Sequence, residues 1–241
     1  MTRILILDYS RDRSEAAEVR RWFGGSVRLD QCHVPFEDSI PDVVAYSGVI
    51  HTGSSFSICA SAPFDREAEG AVRQAAELGI PQMGICYGHQ MICRALLGRD
   101  AVRPCPNGLE AGWLEVDFSG APAREIGLPK SARVFQSHLD EVVELPAGGR
   151  VFSSSPHTEI QGYLCRRPWI LGLQFHPEFD RTSGNAVFAA DPELLRNNGL
   201  NPGEITAGGP SIEAGHIFFG YYSKVAARYS KTARGVIDCP S

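Results

Sequence analysis

The run Ile4-Leu5-Ile6-Leu7 is apolar at every position and stops at Asp8. A strand with one wet face alternates; a run without alternation is buried on both faces, as in a parallel sheet covered by helices. The following segments fit that arrangement. Ser14 to Phe23 carries acids early (Glu15, Glu18), bases late (Arg20, Arg21) and the stop Gly24-Gly25, the charge order of a helix. Val43 to Thr52 ends in the apolar strand Val49-Ile50, followed by the turn-rich Gly53-Ser54-Ser55. Asp65 to Leu78 reads as a helix stopped by Gly79, Ile80 to Cys86 as another buried strand, and Gln90 to Leu97 as a short apolar helix. This βαβα alternation predicts an α/β fold with a doubly wound, mostly parallel sheet flanked by helices.

From Leu114 to Phe175 short apolar runs alternate with Gly and Pro turns, as in Val142-Val143-Glu144-Leu145 before Pro146-Ala147-Gly148-Gly149. That pattern predicts a small antiparallel strand region added to the sheet, with Trp169 to Phe175 as its final strand. Residues 180–213 are rich in Gly, Asn and Pro and read as loop or short helices, and Ile217 to Tyr229 as a closing helix. With no internal repeat and no composition break, residues 1–241 are expected to form a single domain, 180–241 being its C-terminal loop and closing helix.

Charge and cysteine usage narrow the function classes. Twenty-three basic and 28 acidic residues leave a net charge of −5, so bulk attraction to nucleic acid or an anionic membrane is not expected. No stretch approaches the ~18 apolar residues of a membrane span, and the N-terminal apolar run is too short for a signal peptide. Seven cysteines (32, 59, 86, 93, 105, 165, 239) without a C-x-x-C pair argue against a zinc ribbon or a disulfide framework. A reducing, cytoplasmic setting is expected. His33, His51 and His216 show no ligand spacing, so no metal site is expected, nor any cofactor.

One thiol stands apart. Gly84-Ile85-Cys86-Tyr87-Gly88 puts a cysteine at a strand end, with glycines two residues to either side and a helix following. This is the layout of a nucleophile elbow with Cys in place of Ser. The glycines permit a strained turn and close approach of neighbours, and the helix N-terminus beneath the sulfur favours the thiolate. The backbone N–H of Tyr87 is then placed to donate to an oxyanion. The other reading, a buried small hydrophobe, suits the remaining cysteines.

A thiol nucleophile needs a base, and the base an orienting partner. Phe175-His176-Pro177-Glu178 offers both: in an extended chain residues two apart share a face, so His176 and Glu178 can meet at the end of the last strand. Among the other histidines, His89 reads as a packed side chain, His138 as structural or substrate-lining, and His157 as a surface loop residue. The aromatic group Phe218-Phe219-Tyr221-Tyr222 reads as a helix face packed on the core rather than a docking face.

Gly84-Ile85-Cys86-Tyr87-Gly88-His89-Gln90 together with Gln174-Phe175-His176-Pro177-Glu178 resembles the class I glutamine amidotransferases. Ser137-His138-Leu139-Asp140-Glu141-Val142 and the Ser154 to Gln161 stretch add to the likeness, which spans roughly residues 2–180. The branch most similar is the glutaminase domain of GMP synthase and its stand-alone relatives, which include γ-glutamyl peptidases.

The resemblance implies a Cys86-His176-Glu178 triad that forms a γ-glutamyl thioester on Cys86 and releases glutamate and ammonia. It implies Gly53 as a second oxyanion donor beside Tyr87, Gln90 and the backbone near Ser137 and His138 against the amino-acid end of the substrate, and Asp140 near its α-amino group. The oxyanion loop departs from the family's Gly-Gly-Pro: here it reads His51-Thr52-Gly53-Ser54-Ser55, which makes Ser54 a candidate for setting leaving-group choice. The triplet Gly208-Gly209-Pro210 lies far downstream and reads as an ordinary turn. The sequence has no G-x-x-x-x-G-K-[ST] phosphate loop. The resemblance implies glutamine as the substrate, and the missing phosphate loop makes a separate ATP-dependent synthetase chain the expected ammonia acceptor. The alternative is an autonomous hydrolase of substituted γ-glutamyl amides, peptides or hydrazides.

Overall fold

A computed structural model describes residues 1–37 and 39–231. Cys239 and the end of the expected domain lie outside the described residues. The chain runs β1 (Thr2–Asp8), α1 (Glu15–Arg20), β2 (Val27–His33), β3 (Gly48–His51), α2 (Asp65–Glu77), β4 (Gln82–Ile85) and α3 (Tyr87–Leu97). It continues through β5 (Val102–Pro104), β6 (Glu110–Phe118), α4 (Gly120–Ile126), β7 (Ser131–His138), β8 (Asp140–Val142), β9 (Arg150–Ser154), β10 (Gly162–Arg166) and β11 (Trp169–Leu173). Helices α5 (Arg181–Ala190), α6 (Pro192–Asn197), α7 (Pro202–Ala207) and α8 (Ala214–Lys231) close the chain.

The apolar run of β1 is fully buried, and its residues divide by parity. Leu5 and Leu7 enter a core shared with Ala68 and Val72 of α2 and Met91 and Ile92 of α3. Ile4 and Ile6 enter a second core with Val19 of α1 and Phe218, Phe219 and Tyr222 of α8. A strand that feeds two cores has both faces covered, which is why its sequence does not alternate. The aromatic group of the closing helix is thereby accounted for as core: Phe218, Phe219 and Tyr222 have no exposed surface.

One nine-stranded sheet has the order β2-β1-β3-β4-β11-β10-β9-β6-β7. Strands β2, β1, β3, β4 and β11 run parallel, and β11-β10-β9-β6-β7 are joined antiparallel. The antiparallel region thus continues the main sheet. Only β5 and β8 form a separate two-stranded ribbon. Strand β2 has no counterpart in the sequence reading. It is an edge strand of mixed burial whose sequence, Val-Arg-Leu-Asp-Gln-Cys-His, lacks an apolar run. Two further differences are local. Helix α1 is shorter than its charge pattern predicts, and the last strand stops at Leu173, before Phe175.

Strand order reverses between β1, whose next strand in the chain is β2 on one side, and β3 on the other. In open α/β sheets ligands bind outside the carboxyl ends of strands at such a point. The ends of β1, β3, β4 and β11 lead to Glu15, Gly53, Cys86 and His176 respectively.

Candidate active site

Cys86 is the residue between β4 and α3, and its backbone sits at φ 47°, ψ −104°. A non-glycine residue there is strained by on the order of 1–3 kcal/mol and persists only where its surroundings enforce it. The enforcing contacts are visible. Cys86 N–H donates to Leu173 O of β11 at 2.7 Å, and Gly88 N–H donates to Thr52 O at 3.0 Å. A Cβ on Gly84 would lie 2.7 Å from the Gly88 backbone, and one on Gly88 would lie 2.2 Å from His51 O. Both flanking glycines are therefore needed for the turn to pack against β3 and its own helix. The Gly88–Thr52 bond also brings the β3 loop, with Gly53, against the elbow.

His176 lies beyond β11, and what fixes it is a bridge to β7: its N–H donates to Phe135 O at 2.9 Å. Its Nδ1–H donates to Glu178 Oε1 at 2.7 Å, and both side chains are buried. Cys86 and His176 line the same cavity. Burial alone would lower the His176 pKa, but the Cys86 sulfur and the Glu15 carboxyl turn the net shift upward. Glu178 is also clamped through its backbone carbonyl, which accepts from Arg21 Nη2 at 2.7 Å and Trp22 Nε1 at 2.9 Å. Cys86 lies ninety residues before His176 in the sequence, and the fold brings the two to one cavity.

The other expected residues divide. Gly53 packs against the imidazole, since a Cβ there would sit 2.7 Å from His176 Cε1. Cys86, Ser54, Gln90, Ser137, His138, Asp140 and His176 all line one cavity of about 410 Å³. Ser137 O lies 3.8 Å from the Cys86 sulfur. Gln90 Nε2 donates to Asp140 O at 2.7 Å and to Gln174 Oε1 at 3.1 Å.

Three more of these side chains are committed to protein partners. Ser54 Oγ donates to Tyr9 O and accepts from Phe56 N–H, so it shapes the loop. Asp140 Oδ2 accepts from Ser57 Oγ at 2.6 Å and from Ile58 N–H at 3.0 Å, tying that loop to β8. His138 lies between Glu110 Oε2 (2.7 Å) and Asp140 O (3.1 Å).

His157 is a loop residue as expected, but it is only partly exposed and its ring turns inward. Its Nδ1 is 3.5 Å from Cys105 Sγ and 3.7 Å from Glu110 Oε2, because the 155–158 turn folds inward onto Glu110. His89 is fully buried, packs on Tyr163, and burial pushes its pKa down to about 3, so it stays neutral.

Glu15 reads in the sequence as an ordinary acid in a helical first turn, and the fold brings it to the site. Glu15, His176 and Glu178 each place a side-chain donor atom within 4.8 Å of the others. Among the described residues they are the one such group with spacing for a cation. However, Nδ1 and Oε1 are already engaged with each other. Burial and the neighbouring Glu178 charge push the Glu15 pKa well above the carboxylate range. Burial likewise raises Glu178, to about 8, while the hydrogen bond from Glu15 acts in the opposite direction. Burial thus favours the protonated form of both carboxyls. No sequence signal marks this pair, which joins α1 to a loop far along the chain.

The model of the glutamine amidotransferase class-I family matches residues 48–193. A GMP synthase (glutamine-hydrolyzing) subunit from Sulfolobus acidocaldarius is 31% identical over 163 residues, covering 66% of this chain and 82% of that protein. A GMP synthase from Syntrophomonas wolfei is 32% identical over 148 residues, which is 60% of this chain but only 27% of the relative's length. Among solved structures, a glutamine amidotransferase from Thermotoga maritima superposes with a TM-score of 0.74 at 21% identity, covering 94% of this chain and 96% of that one. One from Methylobacillus flagellatus gives 0.77 at 19% identity, covering 96% and 95%. At these identities the structural likeness speaks for the fold. Among the described residues no helix is long and apolar enough to cross a membrane.

Proposed function

The chain belongs to the class I glutamine amidotransferases, and from that premise we propose that it hydrolyses the γ-amide of glutamine through Cys86, His176 and Glu178. The observation that carries this reading is the strained backbone of Cys86, in one cavity with a histidine whose Nδ1 lies 2.7 Å from the buried Glu178 carboxyl. Strain kept at one cysteine, with a base and its orienter beside it, is the arrangement a thiol nucleophile requires.

In the first step the Cys86 sulfur attacks the amide carbon as His176 takes the thiol proton. The C–N bond breaks as His176 returns that proton to the departing nitrogen, leaving a γ-glutamyl thioester and ammonia. Water, deprotonated by His176, then cleaves the thioester to glutamate and the free thiol. Glu178 orients His176 and balances the imidazolium formed in each step. The backbone N–H groups of Tyr87 and Gly53 are the proposed donors to the tetrahedral oxyanion. Losing one such donor costs about 10²–10³ in rate. The similarity to a protein named as one subunit of glutamine-hydrolysing GMP synthase supports a separate synthetase chain as ammonia acceptor. The reading is tested by glutamate release and by labelling with a γ-glutamyl chloromethyl ketone. Cys86→Ala is expected to lose both, and turnover surviving in Cys86→Ala would refute the triad.

A second reading, an autonomous hydrolase of substituted γ-glutamyl amides, peptides or hydrazides, is favoured by one observation: the apolar side chains Leu109, Phe179, Val187 and Leu194 in the cavity wall. Comparing glutamate release from glutamine and from such compounds, without a partner protein, separates the two.

A further inference from the structure

The cavity beside Cys86 has two kinds of wall. Its polar groups form one hydrogen-bonded set: Gln90 donates to Asp140 O, and Asp140 Oδ2 accepts from Ser57. Its apolar groups gather at His176. The imidazole meets the Phe135 ring edge-on at 5.5 Å and Phe179 at 5.4 Å, and Phe135 and Phe179 lie 4.7 Å apart. Val187 of α5 and Leu194 of α6 extend that wall.

These last two residues are unusual in their setting. Their chain neighbours Phe188 and Leu195 are 3% and 1% exposed and anchor the helices in a small core with Trp113 and Phe135. Val187 and Leu194 stay 42% and 37% exposed although they face the cavity. Apolar surface held in place at a cavity wall and left uncovered by protein is surface for a ligand to cover.

The chemistry decides which part of the ligand. His176 delivers the proton to the departing nitrogen, so any substituent on that nitrogen lies on the His176 side. Ammonia is small and polar and gains nothing from this wall. A cavity of about 410 Å³ is also within the range that takes a whole small molecule.

We propose that the leaving group is an apolar primary amine, whose hydrocarbon part packs on Phe179, Val187 and Leu194 while the γ-glutamyl half occupies the polar end. This rests on the proposed triad and gives its second reading a substrate class. The step balances as before: the Cys86 sulfur–carbon bond forms, the amide C–N bond breaks, and the amine departs with the proton from His176. Water then releases glutamate.

The test is kcat/KM for glutamate release from γ-glutamyl methylamide, n-butylamide and n-hexylamide, with glutamine as reference. Alkylamides have nearly equal leaving-group basicity, so a trend reports contact with the wall. The expected result is a rise of roughly three- to fourfold per added methylene. Leu194→Ser and Val187→Ser, both at partly exposed positions, are expected to lower the hexylamide-to-methylamide ratio at least fivefold. A flat series with glutamine the best substrate, or a slope that survives in both variants, overturns the proposal. Labelling of Cys86 by a γ-glutamyl chloromethyl ketone separates this failure from that of the triad. Labelling with a flat series removes the apolar leaving group alone. No labelling and no hydrolysis of any compound removes both readings.

Discussion

Gly53 and His176 are in contact so close that a single methyl group would not fit between them: a Cβ on residue 53 would lie 2.7 Å from Cε1 of the imidazole. The ring is set in that position by Glu178 at its Nδ1 and by the bridge to Phe135 at its backbone. Gly53→Ala is therefore expected to turn the ring away from Cys86. A displacement of about 1 Å at a reacting group costs on the order of 10² in rate. The measurement is kcat/KM for glutamate release alongside the melting temperature. A drop below tenfold in a folded variant would show that the loop gives way instead of the ring.

The strain at Cys86 leads to an unusual ordering of variants. Alanine removes the sulfur and keeps the unfavourable φ of 47°. Glycine removes both, since φ > 0 carries no steric cost without a Cβ. Cys86→Gly is expected to be more stable than Cys86→Ala by about 1–2 kcal/mol, in spite of the entropy cost glycine usually brings. Both are expected to be inactive. Chemical denaturation of the two variants decides it, and an Ala variant equal to or above Gly would mean that the turn stores no strain.

The legible parts of the chain are those with a local cause. The unbroken run at Ile4 to Leu7 marks a doubly covered strand, and the glycines around Cys86 mark the elbow, because each signal lies within a few residues. Edge strand β2 is illegible because a half-buried strand of polar and apolar residues carries no period. The end of the last strand is misread because Phe175 is buried by Phe218 and Phe118, not by strand pairing. Glu15 and the inward His157 cannot be read at all. Their partners, Glu178 and Glu110, come from distant elements, and a side chain's distant partner is invisible to spacing.

Glu110 is the hub of that second, hidden cluster. It is 4% exposed and accepts from His138 Nε2 (2.7 Å), Gln161 Nε2 (2.6 Å) and Ser155 Oγ (3.1 Å). Burial would raise its pKa, but the His138 hydrogen bond and charge bring it below the usual carboxylate value. Glu110→Ala removes the acceptor of three donors at once, two of them on the buried side chains of His138 and Gln161. A loss of about 3 kcal/mol or more is expected, in the range for breaking one side of a buried ionic network. Because His138 also faces Asp140 O, KM for the substrate is expected to rise while the labelling of Cys86 persists. Thermal unfolding and steady-state kinetics on the same variant measure both.

The Glu15–Glu178 pair ties stability and turnover to pH in opposite ways. Both carboxyls have raised pKa values in the folded protein, Glu178 from the usual 4.5 to about 8. The native state then binds more protons than the unfolded chain between those values, so stability falls as pH rises. For Glu178 that contribution is complete below about pH 4.5 and is lost as pH rises through about 8. Turnover should rise over the same range, because Glu178 serves His176 as a carboxylate. Glu15 acts to lower the Glu178 pKa against the effect of burial. Glu15→Gln keeps a donor there, whereas Glu15→Ala does not. Glu15→Gln is expected to retain most of the activity at neutral pH with a shallower loss of melting temperature on raising the pH. Glu15→Ala is expected to move the rising limb of the pH–rate profile to higher pH and to lose about tenfold at neutral pH, the size of a charge-assisted hydrogen bond. Identical pH–rate profiles for the wild type and both variants would show that the two carboxyls titrate independently.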